Sequence, residues 1–195
     1  MANKAIRHTP SFFYPPGGIL IQIVILTELL TFGAGMATMT YYSRSEATVF
    51  RESCILLSVY FPIINTILLL SSGLFLAISI KQIHEGKNQF IASNFKWSII
   101  LGLGFIIIKT YEYATSILAG HTLGENTFYN FYWFLTGFHY IHVWAGLIIL
   151  LIVMPHKYEK LSVTRKENIE AAAGFWHFCD LVWVLLFPTV YFLFR

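Results

Sequence analysis

Seven ionisable side chains fall inside stretches apolar enough to lie within a membrane: Glu28, Lys109, Glu112, His139, His142, His177 and Asp180. An isolated charge at bilayer depth is expensive, so each must be paired, neutral or beside water. Their types and spacing limit the chemistry open to them. A carboxylate–histidine set can hold a metal, but a paired-iron bundle wants Glu-x-x-His on two helices, and these stretches contain no such motif. His139 and His142 stand three apart, a helical spacing, without the His-Glu-x-x-His of zinc proteases. Haem needs an axial histidine, and nothing in the sequence singles one out. Cys179 lies between His177 and Asp180, yet helix neighbours one and two apart do not face each other. The reading is therefore of no catalytic residue and no metal or cofactor site in this chain. It is of a structural or proton-related polar seam, Glu28, Asn65, Glu112, His139, His142, His177 and Asp180, of which Glu112, His139 and His177 are expected to make cross-helix polar contacts inside the bundle.

The elements that must position this seam are membrane helices. Of 195 residues, 56% are hydrophobic and 12% charged, against about 25% charged in a soluble domain. The predicted fold is all-α, a bundle of five transmembrane helices over about residues 19–41, 54–80, 95–118, 127–154 and 171–194, behind a short basic arm at 1–18. The fourth stretch, FYNFYWFLTGFHYIHVWAGLIILLIVM, exceeds the roughly 20 apolar residues a bilayer requires. On it Thr136, His139, His142 and Gly146 share a face. Glu28 is followed one turn on by Thr31 and a further turn on by Gly35. Pro62, Asn65, Leu69 and Ser72 form a stripe on the second helix, where Pro62 is expected to introduce a kink. Lys109 and Glu112 share a face of the third. The segment carrying Arg44, Glu46, Arg51 and Glu52 reads as a loop, as does PHKYEKLSVTRKENIE. Cys54 and Cys179 make no metal spacing and suggest no bridge. The net charge of +3 comes mainly from loops, and nothing points to nucleic acid.

Lysine and arginine set the expected topology. Lys4, Arg7, Lys81, Lys87, Lys96, Lys157, Lys160, Arg165 and Lys166 fall on one side of a five-span chain; Arg44, Arg51 and Arg195 fall on the other. That puts the N-terminus in the cytoplasm and the C-terminus on the periplasmic or extracellular face of an inner membrane. The N-terminus lacks the apolar core and cleavage site of a signal peptide.

The residues quoted so far, taken together, resemble subunit III of the haem–copper oxidases in a short, five-helix bacterial form. The likeness rests on Phe134-Leu-Thr136-Gly137-Phe138-His139 followed by His142-Val143 and Gly146. It rests equally on Trp176-His177-Phe178 with Asp180-Leu-Val-Trp183, on Asn65-Thr66 with Ser72-Gly73, on Glu112-Tyr113, and on Glu28. It covers nearly the whole chain, from about Pro16 to Phe194. There are departures: Tyr140 stands where the family has glycine, Phe175 where it often has tyrosine, and Lys109 precedes Glu112 where a glutamine is common. The resemblance implies a non-catalytic subunit that carries no haem or copper itself and packs beside a haem- and copper-bearing catalytic subunit I. It also implies a structural phospholipid, for which Gly35 and Ser72 with Gly73 are expected to leave local room at the helix surfaces, and a role in keeping proton uptake and oxygen reduction going. Cytochrome c or quinol would supply electrons through other subunits. The alternative within the same family is an accessory subunit of nitric oxide reductase.

This reading makes a first prediction. The purified chain should carry no stoichiometric metal or haem. Elemental analysis and a visible spectrum check it, and one metal or haem per chain surviving stringent washing would refute it.

Overall fold

A computed structural model describes residues 18–86, 90–154 and 162–195. The basic arm and Lys87, Lys157 and Lys160 lie outside the described residues. Six helices follow in order: α1 (Gly18–Ser45), α2 (Ala47–Leu56), α3 (Tyr60–Glu85), α4 (Ile91–Leu118), α5 (Thr127–Val153) and α6 (Val163–Tyr191). All but α2 are long and apolar enough to cross a membrane. The described residues form an all-α fold with five membrane-spanning helices.

Helix ends depart from the sequence-based bounds for physical reasons. The segment expected to be a loop around Arg51 is α2, ten residues long and, at about 1.5 Å per residue, far too short to span. Leu57 is extended at its C-cap and breaks the chain before α3 begins at Tyr60. Pro62 thus falls in the first turn of α3, where a missing N–H leaves no intrahelical bond unmade. The break precedes the proline, and the expected mid-helix kink has no place to form. Gly86 ends α3 in the left-handed region, φ 68°, its N–H turned back to the last carbonyls. Ser162 caps α6 by accepting from the Arg165 N–H, so the charged run from Val163 to Glu170 is already helical. His177 and Asp180 therefore lie near the middle of α6. They were expected near its start.

The connections alternate. Arg195 donates to the carbonyls of Leu57 at 2.7 Å and Cys54 at 3.4 Å, placing the C-terminus at the α2 end. At the other end His84 on α3 lies 3.2 Å from Glu170 on α6. α3 pairs with α4, and α6 lies against α5, α3 and α1. The core runs along α6, of which Trp176, Cys179, Val182, Trp183, Leu186 and Val190 are buried. α1 buries one narrow stripe, Phe32 and Met39 with half-buried Glu28 and Gly35, against α5 and α6.

Close approach is set by small residues. A methyl on Gly102 of α4 or on Gly146 of α5 would come within 2.8 Å of the Trp176 indole. The ring fills both notches while its N–H donates to Ser72 Oγ on α3, 3.1 Å away. One side chain thus ties α6 to three other helices. The room expected for lipid at Gly35 and Gly73 is occupied by protein: Leu135 lies against the first, and Asp180 with His177 against the second.

Overpacking a filled notch should cost about 1–3 kcal/mol. Gly146→Val is expected to lower unfolding stability in detergent by that amount. Gly137→Ala, which meets nothing within 4 Å, should leave stability unchanged or raise it by up to about 1 kcal/mol.

Candidate functional site

The polar residues of the expected seam separate into distinct places. The most deeply held is Glu112. Its Oε1 accepts from Lys109 Nζ at 2.9 Å, from Tyr132 Oη at 2.9 Å and from Tyr191 Oη at 2.5 Å. Lys109 Nζ also lies 2.6 Å from Tyr191 Oη. The lysine side chain has no exposed surface and that of the glutamate only 4%. The ammonium sits about 5 Å from the ring centres of Tyr113, Tyr132, Trp183 and Tyr191, within the range of a cation–π attraction. Helices α4, α5 and α6 meet at this one carboxylate. Tyr113 extends the polar contacts by donating to Thr136 Oγ1 at 3.0 Å.

The second place joins α1 to α5. His142 Nε2 stands 3.3 Å from Glu28 Oε2, at ion-pair distance but without hydrogen-bond alignment. His142 Nδ1 lies 2.8 Å from the Phe138 carbonyl. A carbonyl only accepts, so Nδ1 carries a proton. The third place lies within α6, where His177 Nδ1 stands 3.3 Å from Asp180 Oδ2. The Asp180 side chain is 10% exposed and that of His177 43%.

Asn65 and His139 differ from the rest. Both are buried, and neither their amide atoms nor their ring nitrogens have a hydrogen-bond partner among the described residues. The His139 ring stacks on Trp183 with centroids 5.4 Å apart and meets the edges of Phe105 and Phe32. Cross-helix polar contacts were expected for Glu112, His139 and His177. The structure gives them to Glu112, surrounds His139 with aromatic rings, and directs His177 to its own helix. Of the departures, Tyr140 reaches Thr110 Oγ1 at 2.8 Å, adding an α4–α5 link.

Tyr132 and Tyr191 were absent from the expected seam. Their signal was present: a tyrosine inside a membrane helix carries a hydroxyl that must find a partner. Among the described residues no group of three or more His, Cys, Asp or Glu is placed to hold a metal ion. Both cysteines are free and buried.

These observations define a polytopic helical bundle in which one buried carboxylate, Glu112, joins three helices. The family model for cytochrome c oxidase subunit III matches residues 55–194. A cytochrome c oxidase subunit 3 from Spodoptera frugiperda is 35% identical over 131 residues, 67% of this chain and 87% of that protein. One from Corynebacterium diphtheriae is 30% identical over 179 residues, 88% of this chain and 85% of that protein. One from Drosophila melanogaster is 33% identical over 131 residues, and there the match spans only 49% of the relative's length. The chain belongs to the cytochrome c oxidase subunit III family of membrane-embedded respiratory-chain subunits. The matches bear the oxidase name and lend no support to the nitric oxide reductase branch.

Removing one partner of a buried ion pair costs about 3–5 kcal/mol, because it strands the other charge. Lys109→Met alone should therefore destabilise the chain strongly in detergent unfolding. Lys109→Met combined with Glu112→Gln should recover a large part of that loss. Equal loss in the single and double variants would show that the charges are not coupled.

Proposed function

We propose that the chain is a non-catalytic subunit of a respiratory haem–copper oxidase. It supports assembly, holds phospholipid and sustains proton-coupled oxygen reduction by a haem- and copper-bearing catalytic subunit. The observation that carries the reading is the family match over residues 55–194. The chemistry of the interior is in keeping with it. The most buried acid, Glu112, is engaged by a lysine and two tyrosines, and His139 is enclosed by aromatic rings. Electrons need not pass through such an interior.

The proposed placement is an inner membrane, with the N-terminus cytoplasmic and the C-terminus on the opposite face, on the strength of the lysine and arginine asymmetry. In this placement His177 and Asp180 stand at mid-membrane, about 21 Å and about 26 Å along α6 from its first residue. Asp180 Oδ1 is buried without a partner, which makes this pair the best proton-related candidate in α6. Phospholipid would contact the exposed apolar flank of α1, where Ile23, Leu26 and Leu30 face outward. It would not enter the notches at Gly35 and Gly73.

A deletion strain tests the proposal. The remaining complex should retain its haems and reduce oxygen at first, then lose activity over many turnovers faster than the intact complex. Immediate and complete loss of catalysis with haems and other subunits in place would overturn the accessory role. Activity toward nitric oxide alone would reassign the complex.

A further inference from the structure

We infer that the recess of about 240 Å³ at the α2 end of the bundle is a water-filled inlet reaching the buried Lys109–Glu112 pair. Leu57, Ser58, Phe61, Glu112, Ser116 and His121 line it. It lies where α2 breaks to α3 and where α4 ends, so three element termini supply its rim.

Two independent observations meet at Glu112. The first is the cavity itself. Only about 10–15 Å³ of such space is needed to hold one water, provided polar partners are available, so the recess has room for several. The second is an imbalance on the carboxylate. Oε1 accepts three donors, whereas Oε2 is buried and has no partner among the described residues. An ionised carboxylate offers about four acceptor sites across its two oxygens, and a buried acceptor left bare is costly. Lys109, Tyr132 and Tyr191 are all committed to Oε1 or to one another. Of the two described cavities, this recess is the one that Glu112 lines. Water donating to Oε2 resolves the imbalance, and the Ser58 and Ser116 side chains with the His121 ring give further water its polar contacts. The glutamate is then screened by solvent from one end of the bundle only. The aromatic collar of Tyr113, Tyr132 and Trp183 lies around the lysine on the inner side. A charged pair deep in a membrane helix thus becomes tolerable because half of it is hydrated.

Thiol labelling in native membranes containing the full chain tests the inlet. Cys54 and Cys179 are first replaced by alanine. Ser116→Cys is then the probe. Ser98→Cys, buried between α3 and α4 and away from the recess, is the closed control. Ser45→Cys, exposed at the end of α1, is the open one. Because reaction follows thiolate access, Ser116→Cys should react with methanethiosulfonate ethylammonium at least roughly tenfold faster than Ser98→Cys. Thr115→Cys, which lines the same recess from a half-buried position, is the second probe should Ser116→Cys not fold. Labelling no faster than at Ser98→Cys would overturn the inference. So would reaction with uncharged N-ethylmaleimide while the charged reagent is excluded, the outcome expected if an acyl chain fills the space.

Discussion

A lysine with no contact to solvent can stay charged inside a membrane bundle only beside an anion, and that requirement shapes the middle of this fold. Lys109 and Glu112 occupy adjacent turns of α4, but a pair on one helix cannot by itself meet the demand. The carboxylate draws Tyr132 from α5 and Tyr191 from α6, and the ammonium lies against four aromatic rings. Breaking any member would leave the others short of a hydrogen-bond or ionic partner in a largely buried site, which is costly. In lipid, where no hydrophobic force drives one apolar helix onto another, such contacts and close van der Waals fit decide which helices meet.

The fit is supplied by Trp183, which lies against the lysine, and by Trp176 two turns before it on α6. Each indole places its ring among neighbouring helices and its N–H on a hydroxyl of α3, at Ser72 and Thr66 respectively. α6 is accordingly the helix buried on most sides, and α1 the one most open to lipid. The joint between α1 and the rest relies on the Glu28–His142 contact and on the Phe32, Gly35 and Met39 stripe. Of the five spans, α1 is the least constrained by the others.

Much of this was legible in the sequence. Five apolar stretches gave five spans, and the stripe of Pro62, Asn65, Leu69 and Ser72 is buried as its spacing implies. Helix ends were not legible, because capping overrode hydropathy. Ser162 starts α6 within a charged run, and the break at Leu57 falls inside the stretch 54–80 that hydropathy reads as one helix. The single polar seam was not legible either. Spacing along one helix shows which residues share a face, but not which helix that face meets. His139 and Asn65 share the polar character of Glu112, yet His139 meets aromatic rings and the Asn65 amide has no hydrogen-bond partner among the described residues, whereas Glu112 meets a lysine and hydroxyls. Glycine gave the reverse error. Gly35 and Gly73 read as open room, and the neighbouring helices fill it with Leu135 and Asp180.

The proposed accessory role makes the chain depend on a haem-bearing partner for its chemistry. The most direct test is purification of the affinity-tagged native chain from its own membranes in mild detergent, followed by a reduced-minus-oxidised spectrum and identification of the accompanying chains. The account predicts near-stoichiometric recovery with a haem-bearing oxidase subunit, with the haem staying on that subunit when the tagged chain is dissociated. Recovery of the tagged chain alone and monodisperse, with no haem-bearing partner, would contradict it.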